Sequence, residues 1–225
     1  MSSPNVRTLV SLAALNRSTL REQLLDRLRE GILDGTFPPG SRMAEVELST
    51  QFGVSRGTVR EALRTLQNSG LLEGRERNSL YVRRLSRRDI DELFQVRDAL
   101  EGKAVELLLQ LPSAQDVVDA MERQLPETTE SMTYAQRFEI DLTFHQILVE
   151  STGNAMLLNM WSGIKDMMRI AALAWADETA ASLMTVAHHQ PIIDALRTGD
   201  ALQVRKVLNS HMLAAAEKLG AKAED

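Results

Sequence analysis

The stretch ELSTQFGVSRGTVREALRTLQNSGLL, residues 47–72 of a 225-residue chain, decides the fold of its first third. Leu48 and Phe52 share one side of a short helix that Gly53 stops, because glycine accepts the left-handed backbone of a helix end. Ser55 then caps a second helix, which carries Val59, Leu63 and Leu66 on one face and stops at Gly70. Two short helices joined by a tight glycine-containing turn make a helix-turn-helix. Ser55, Arg56, Thr58 and Arg60 then stand where side chains and unpaired backbone N–H groups can meet the phosphates and base edges of a duplex. Arginine is the informative type, since its planar fork matches guanine O6/N7 and phosphate oxygens in pairs.

On the N-terminal side, Leu20, Leu24, Leu28 and Ile32, joined by Leu25 and Leu33, give an apolar face at helical spacing, with Ser18 or Thr19 as cap and Gly35 as stop. TFPPGSR, residues 36–42, cannot continue it, because Pro38, Pro39 and Gly40 remove donors and break the dihedral pattern. Residues 1–18 lack periodicity and read as a mobile arm; their apolar stretch Leu9–Leu15 is too short for a signal segment. On the C-terminal side, LLEGR and SLYVRR flank a polar turn at Glu76, Arg77 and Asn78, which predicts a β-hairpin wing. Arg75, Arg77, Arg83 and Arg84 would then lie along the nucleic-acid backbone or minor groove. Spacing alone leaves a second reading open, in which a surface helix and hairpin carry solvated arginines.

Charge divides the chain in the same place. The net formal charge of −5 disfavours a polyanion partner for the whole, but residues 1–84 hold 13 arginines against nine acids, a balance of +4. The remainder is acidic and rich in helix formers. Aromatic residues make up 4%, and Val, Ile, Thr and Tyr are nowhere dense enough for a large sheet, so a sheet enzyme is excluded. With no cysteine, a disulfide, a thiolate metal site and a cysteine nucleophile are excluded too. No run approaches 18 apolar residues, so no membrane span is expected, and a cytoplasmic location is the default.

From Ser86 the pattern predicts about six helices and no strands. Leu93, Val96, Leu100, Ala104, Leu107 and Leu111 mark the first, ended by Pro112, and Val117, Val118, Met121 and Leu125 the second, ended by Pro126. Four more fit residues 133–151, 154–176, about 181–198 and 200–219, with Gly153 and Gly199 as breaks and Asn154 as a cap. The expected fold is mainly α: an N-terminal winged helix-turn-helix over residues 19–84 and an all-α antiparallel bundle over 85–225. All four histidines fall in the bundle. Asp141 and His145, four apart, project from one helix face, and His189 and His211 sit on two later helices that a bundle can bring to the same centre. One carboxylate with three imidazoles suits Zn, Ni, Mn or Fe. An ordinary hydrogen-bonded Asp–His pair is the competing reading. Met156, Met160, Met167, Met168, Trp161 and Trp175 are assigned to core or cavity wall.

GILDGTFPPGSRM, residues 31–43, followed by residues 47–72 resembles the winged-helix reader of GntR-type bacterial transcription regulators. By that resemblance Arg56, Thr58 and Arg60 are the matched recognition-helix positions, with Ser55 adjacent. Gly57 stands where that family often has Thr, and the wing tip carries Arg77 and Asn78 where Gly is common. DLTFHQILVESTGN (141–154), HHQPIIDALRTGD (188–200) and VRKVLNSHM (204–212) look like the three segments of the FCD effector-binding domain of the FadR subfamily. The resemblance implies that Asp141, His145, His189 and His211 bind a divalent transition metal and that His188 is a bystander. Pro191 is unusual there and is expected to kink or restart the helix of His189. Arg97 matches a cavity-facing Arg of the family and would hold a small carboxylate effector bidentately; a pair with Glu101 or Asp98 is the alternative.

The expected function is a repressor that binds a pseudo-palindromic, double-stranded operator as a homodimer and is re-oriented by its effector. Two alternatives stand beside it: a metal-dependent hydrolase or lyase with a DNA-binding module, and an architectural DNA-binding dimer without effector. Against the first stands the lack of an HExxH pairing and of a general base beside Asp141 and His145.

Overall fold

A computed structural model describes residues 19–75, 79–125, 132–173, 184–221 and 223. The expected arm, the wing tip with Arg77, Pro126 and Trp175 lie outside the described residues.

The first unit runs α1 (Leu20–Leu33), α2 (Glu45–Phe52), α3 (Arg56–Asn68), β1 (Leu72–Arg75) and β2 (Ser79–Val82). Thr19 opens α1 with a reciprocal cap, its hydroxyl accepting from the Glu22 N–H while the Glu22 carboxylate accepts from the Thr19 N–H. Leu24, Leu28 and Ile32 bury the inner face of α1, whereas Leu20 is exposed and is not part of the core. Gly53 carries the chain from α2 to α3 at φ +64°, where a side chain would be strained. Ser55 accepts the Thr58 N–H at 3.1 Å, and Val59, Leu63 and Leu66 pack inward against α1. β1 and β2 pair antiparallel with Leu72 opposite Val82, and the proline-bearing segment returns alongside β2, Met43 donating to Leu80 O at 2.9 Å and Val82 to Ser41 O at 2.9 Å.

The second unit holds six helices among the described residues: α4 (Arg87–Leu108), α5 (Ala114–Arg123), α6 (Tyr134–Glu150), α7 (Ala155–Leu173), α8 (Val186–Thr198) and α9 (Ala201–Gly220). Helix α4 packs on α9, α7 and α6, which makes it the spine of the bundle. Gly102 lets α9 come close, since a Cβ there would collide with the Arg205 guanidinium that donates to Asp98 O at 3.0 Å. Helix α8 begins later than predicted, at Val186, and runs unbroken through Pro191 to Thr198.

The buried face of α4 differs from the predicted stripe. Ile90, Phe94, Arg97, Glu101, Ala104, Val105 and Leu108 point inward, while Val96 is 48% exposed. Two charged residues occupy the inner face, so the apolar pattern alone indicates a stripe rotated away from it. The methionines split in the same way: Met168 and Trp161 are core, but Met156 and Met160 are exposed.

The two units meet at α1 and α7. Arg29 Nε lies 2.8 Å from an Asp166 carboxylate oxygen, and Asp166 also receives Arg169, which chelates Glu139 on α6 through two contacts of 2.7 Å.

Candidate functional site

On the reader, the N-terminus of α3 stands in the open. Arg56, Gly57, Arg60 and Arg64 are exposed, and Thr58 is half-buried with its hydroxyl 2.9 Å from that of Ser55. Ser55 is therefore occupied as the helix cap. Arg60 is not free either: its Nε and Nη2 donate to the two carboxylate oxygens of Glu45, each at 2.8 Å. A depression of about 490 Å³ opens between the starts of α2 and α3 and strand β2, with Arg42, Glu45, Arg56 and Ser79 on its rim. The remaining wing arginines serve the fold. Arg75 pairs with Glu73 and lies over the Tyr81 ring, Arg83 pairs with Asp89 at the start of α4, and Arg84 donates to Pro39 O over Gly40.

In the bundle, three elements converge. Helix α6 supplies Asp141 and His145, α8 supplies His189 and α9 supplies His211, all buried. The nitrogens of His145, His189 and His211 lie within 4.8 Å of one another. His145 Nε2, His189 Nε2 and His211 Nδ1 are buried without a hydrogen bond. His189 Nε2 approaches Asp141 Oδ1 at 2.9 Å, but off the direction of a ring N–H bond. Three buried imidazole nitrogens close to one another, with the Asp141 carboxylate beside the His189 nitrogen, fit a divalent transition ion, and a buried nitrogen left without a partner costs free energy.

The surrounding groups hold those donors in place. His145 Nδ1 donates to Glu101 Oε2 at 2.6 Å, and His189 Nδ1 to the Thr185 carbonyl at 3.1 Å, which leaves the opposite nitrogen of each ring as the lone-pair face. Glu101, fully buried, also accepts from Arg97 Nε at 2.7 Å and Trp161 Nε1 at 3.1 Å. Burial works to raise the Glu101 carboxyl, but the Arg97 guanidinium and the hydrogen bonds donated by His145 and Arg97 outweigh it and bring it down to about 2. Burial likewise opposes the Asp141 carboxylate and is overcome by His189, His145 and Arg97, so Asp141 is held ionised. His145 and His211 are lowered by burial and remain neutral near pH 7. Neutral imidazoles beside ionised carboxylates are the protonation states a metal requires.

Arg97 takes the pair that was the alternative reading, with Glu101 on its own helix. Its Nη2, buried and without a hydrogen bond, sits 3.8 Å from Asp141 Oδ2 at the same centre. Pro191 does not displace His189, which keeps its place in the second half-turn of α8. His188 lies outside the three-nitrogen group, its ring 4.4 Å from that of His211 and its pKa pulled down to about 4 by burial and by His189. Together His188 and His211 stand between two spaces. Inside is a cavity of about 20 Å³ reached by Phe94, Arg97, Asp141 and Met184; outside is an open cleft of about 530 Å³ between α8 and α9.

The structure brings together Asp141, His145, His189 and His211, the residues expected to bind metal, and sequence reasoning missed Glu101, which orients His145. Its four-residue spacing from Arg97 was the available signal. Tyr134 was missed as well: its hydroxyl is buried without a partner and is raised in pKa by burial and by Asp141.

Comparison with known proteins gives one consistent result. Residues 20–82 match the family described as bacterial regulatory proteins, gntR family, and residues 92–214 match the FCD domain. A probable D-xylose utilization operon transcriptional repressor of Paenarthrobacter nicotinovorans is 33% identical over 89% of this chain and 88% of its own. An uncharacterized HTH-type transcriptional regulator of Bacillus subtilis, YdhC, is 32% identical over 67% of this chain and 69% of its own. Among solved structures, a GntR regulator from Rhodococcus sp. RHA1 superposes with a TM-score of 0.73, 22% identity and coverage of 91% and 99% of the two chains. Escherichia coli McbR/YncC gives 0.66 and 21% over 92% and 99%. These two share the fold.

Proposed function

The chain belongs to the GntR family of bacterial regulatory proteins, with an FCD domain behind its reader, and from that premise we propose that it is a homodimeric repressor released from its operator by a small organic acid. That it is a DNA-binding transcriptional regulator rather than an enzyme follows from the family and its relatives. No described helix is long and apolar enough to cross a membrane. The repressor assignment draws on the D-xylose operon relative, and the dimer on symmetry, since a two-fold protein reads a pseudo-palindromic site with one helix in each half.

In this proposal residues 19–84 form the reader and residues 85–225 the sensor. Ser55, Arg56, Thr58 and Arg60 face the duplex, with Arg77 on the wing. Asp141, His145, His189 and His211 hold the metal, and Arg97 binds the effector. The observation that carries the sensor half is the set of three buried imidazole nitrogens, none of them hydrogen-bonded, that converge beside Asp141. When bound, a Zn, Ni, Mn or Fe ion supplies positive charge and an open position for a carboxylate. Arg97 Nη2 then offers the second point of a bidentate grip.

The cavity bounds how this works. About 20 Å³ is room for an ion or a water, not for an organic acid. An acid must therefore push apart the helices that line the space. Helix α7 is positioned to pass such a shift to the reader, because Trp161 on it donates to Glu101 and Asp166 on it holds Arg29 of α1.

A thermal-shift screen of small carboxylates, with and without chelator, tests metal and effector together. An acid that raises the melting point only in metal-loaded protein supports the assignment; acids without effect in either form would sink it. For the reader, Arg56→Ala should weaken operator binding in electrophoretic shifts, and unchanged affinity would remove that helix from the interface.

A further inference from the structure

The helix-turn-helix pattern gives Glu45 no role, and its position is costly for a nucleic-acid reader. It places a carboxylate at the first residue of α2, on the rim of the same depression as Arg42 and Arg56, where it repels phosphate. Fold stability does not explain it, because the Glu45–Arg60 pair is half-exposed and such pairs contribute little. Its geometry does. Glu45 accepts from Nε and Nη2 of Arg60 at 2.8 Å each, which fixes the plane of the guanidinium. Of five N–H donors, this occupies the inner edge and leaves the two Nη1 hydrogens and the second Nη2 hydrogen on the far edge. That far edge is the one that spans guanine O6 and N7. The arginines around it keep the carboxylate charged: its pKa is lowered first by the hydrogen bond from Arg60, and then, against a small effect of burial, by the charges of Arg60, Arg56 and Arg64.

We propose that Glu45 is a positioning residue for sequence readout: it presets the Arg60 guanidinium to read a guanine in each half-site, and its charge holds down binding to unrelated DNA. An arginine held by a carboxylate is a poor general phosphate binder, since part of its charge is already balanced. It is a good base reader, since little side-chain freedom remains to be lost on contact. Glu45 thus trades affinity shared by all sequences for affinity specific to one. The proposal rests on α3 being the recognition helix.

The test uses the full chain and a pool of randomised duplexes. The wild-type protein should enrich a symmetric motif with a G·C pair in each half. Against that motif, Glu45→Gln should lose about tenfold in preference at that one pair. Its affinity for an unrelated duplex should stay equal or rise. Arg60→Ala should lose the preference at the same pair, and adding Glu45→Gln to it should cost nothing more. An unchanged motif in Glu45→Gln overturns the proposal. So does a parallel loss on all duplexes with a lowered melting point, which marks Glu45 as a mere helix-to-helix tie. If the wild-type chain enriches no motif at all, the reader assignment fails and the proposal with it.

Discussion

Arg60–Glu45 in the reader and Arg97–Glu101 in the bundle are the same pair of side chains in opposite surroundings. The first is 50% and 29% exposed; the second is 3% and 0% exposed and lies under His145 and Trp161. In water the pair orients a donor at little cost or gain in stability. In the core each member depends on the other, because a buried charge without its partner is far more expensive than the pair. Burial therefore decides whether one chemistry serves recognition or holds a site together.

The sharpest way to break this comparison is Glu101→Ala. It strands Arg97 and leaves His145 and Trp161 without an acceptor, so urea denaturation should register a loss of about 3–5 kcal/mol. Glu45→Ala should leave the same curve nearly unmoved; similar losses from both would erase the distinction. Next, the milder Glu101→Gln keeps the shape but weakens the support of His145, and metal affinity in a competition titration should fall about 10- to 100-fold. His145→Ala should abolish stoichiometric metal in elemental analysis, and full retention there would move the site elsewhere.

Acid provides a graded test on metal-stripped protein. His145 and His211 are held by burial below the ordinary imidazole value of 6.5, so below that pH the unfolded chain takes up protons that the folded chain refuses. Stability should be full above pH 6.5 and fall beneath it, by about 1.4 kcal/mol per pH unit for each such histidine. Glu101 adds a later loss, beginning below its ordinary 4.5 and complete only near 2. A flat profile between pH 6.5 and 5 would show that these rings are protonated in the fold.

A small effect on stability is also expected of Arg29→Ala, which removes a half-exposed ion pair worth at most about 1 kcal/mol. Its effect should appear instead in coupling. The ratio of operator affinities with and without metal and acid should shrink several-fold, while metal affinity stays the same. An unaltered ratio would separate α1 from the path between the sites.

Much of this molecule was legible in order along the chain. Gly53, Ser55 and the Val59, Leu63, Leu66 spacing specify the helix-turn-helix because caps and periodicity are local. Asp141 and His145 announce a shared helix face for the same reason. The inner stripe of α4 was not legible, since it includes Arg97 and Glu101, and apolar patterning treats charge as a mark of the surface. Nor did the exposure of Met156 and Met160 follow from composition, because methionine suits core and surface alike.

By itself, then, the sequence determined the two units, their helices, the family and the residue types able to bind metal, all of which rest on local chemistry or on spacing within one helix. Only the tertiary structure decided which atoms meet. It brought α6, α8 and α9 together so that three imidazole nitrogens converge, turned Glu101 inward beneath His145, and set Glu45 against Arg60 and Arg29 against Asp166. Each of these contacts joins separate elements, and their geometry is set by how helices pack around a shared core.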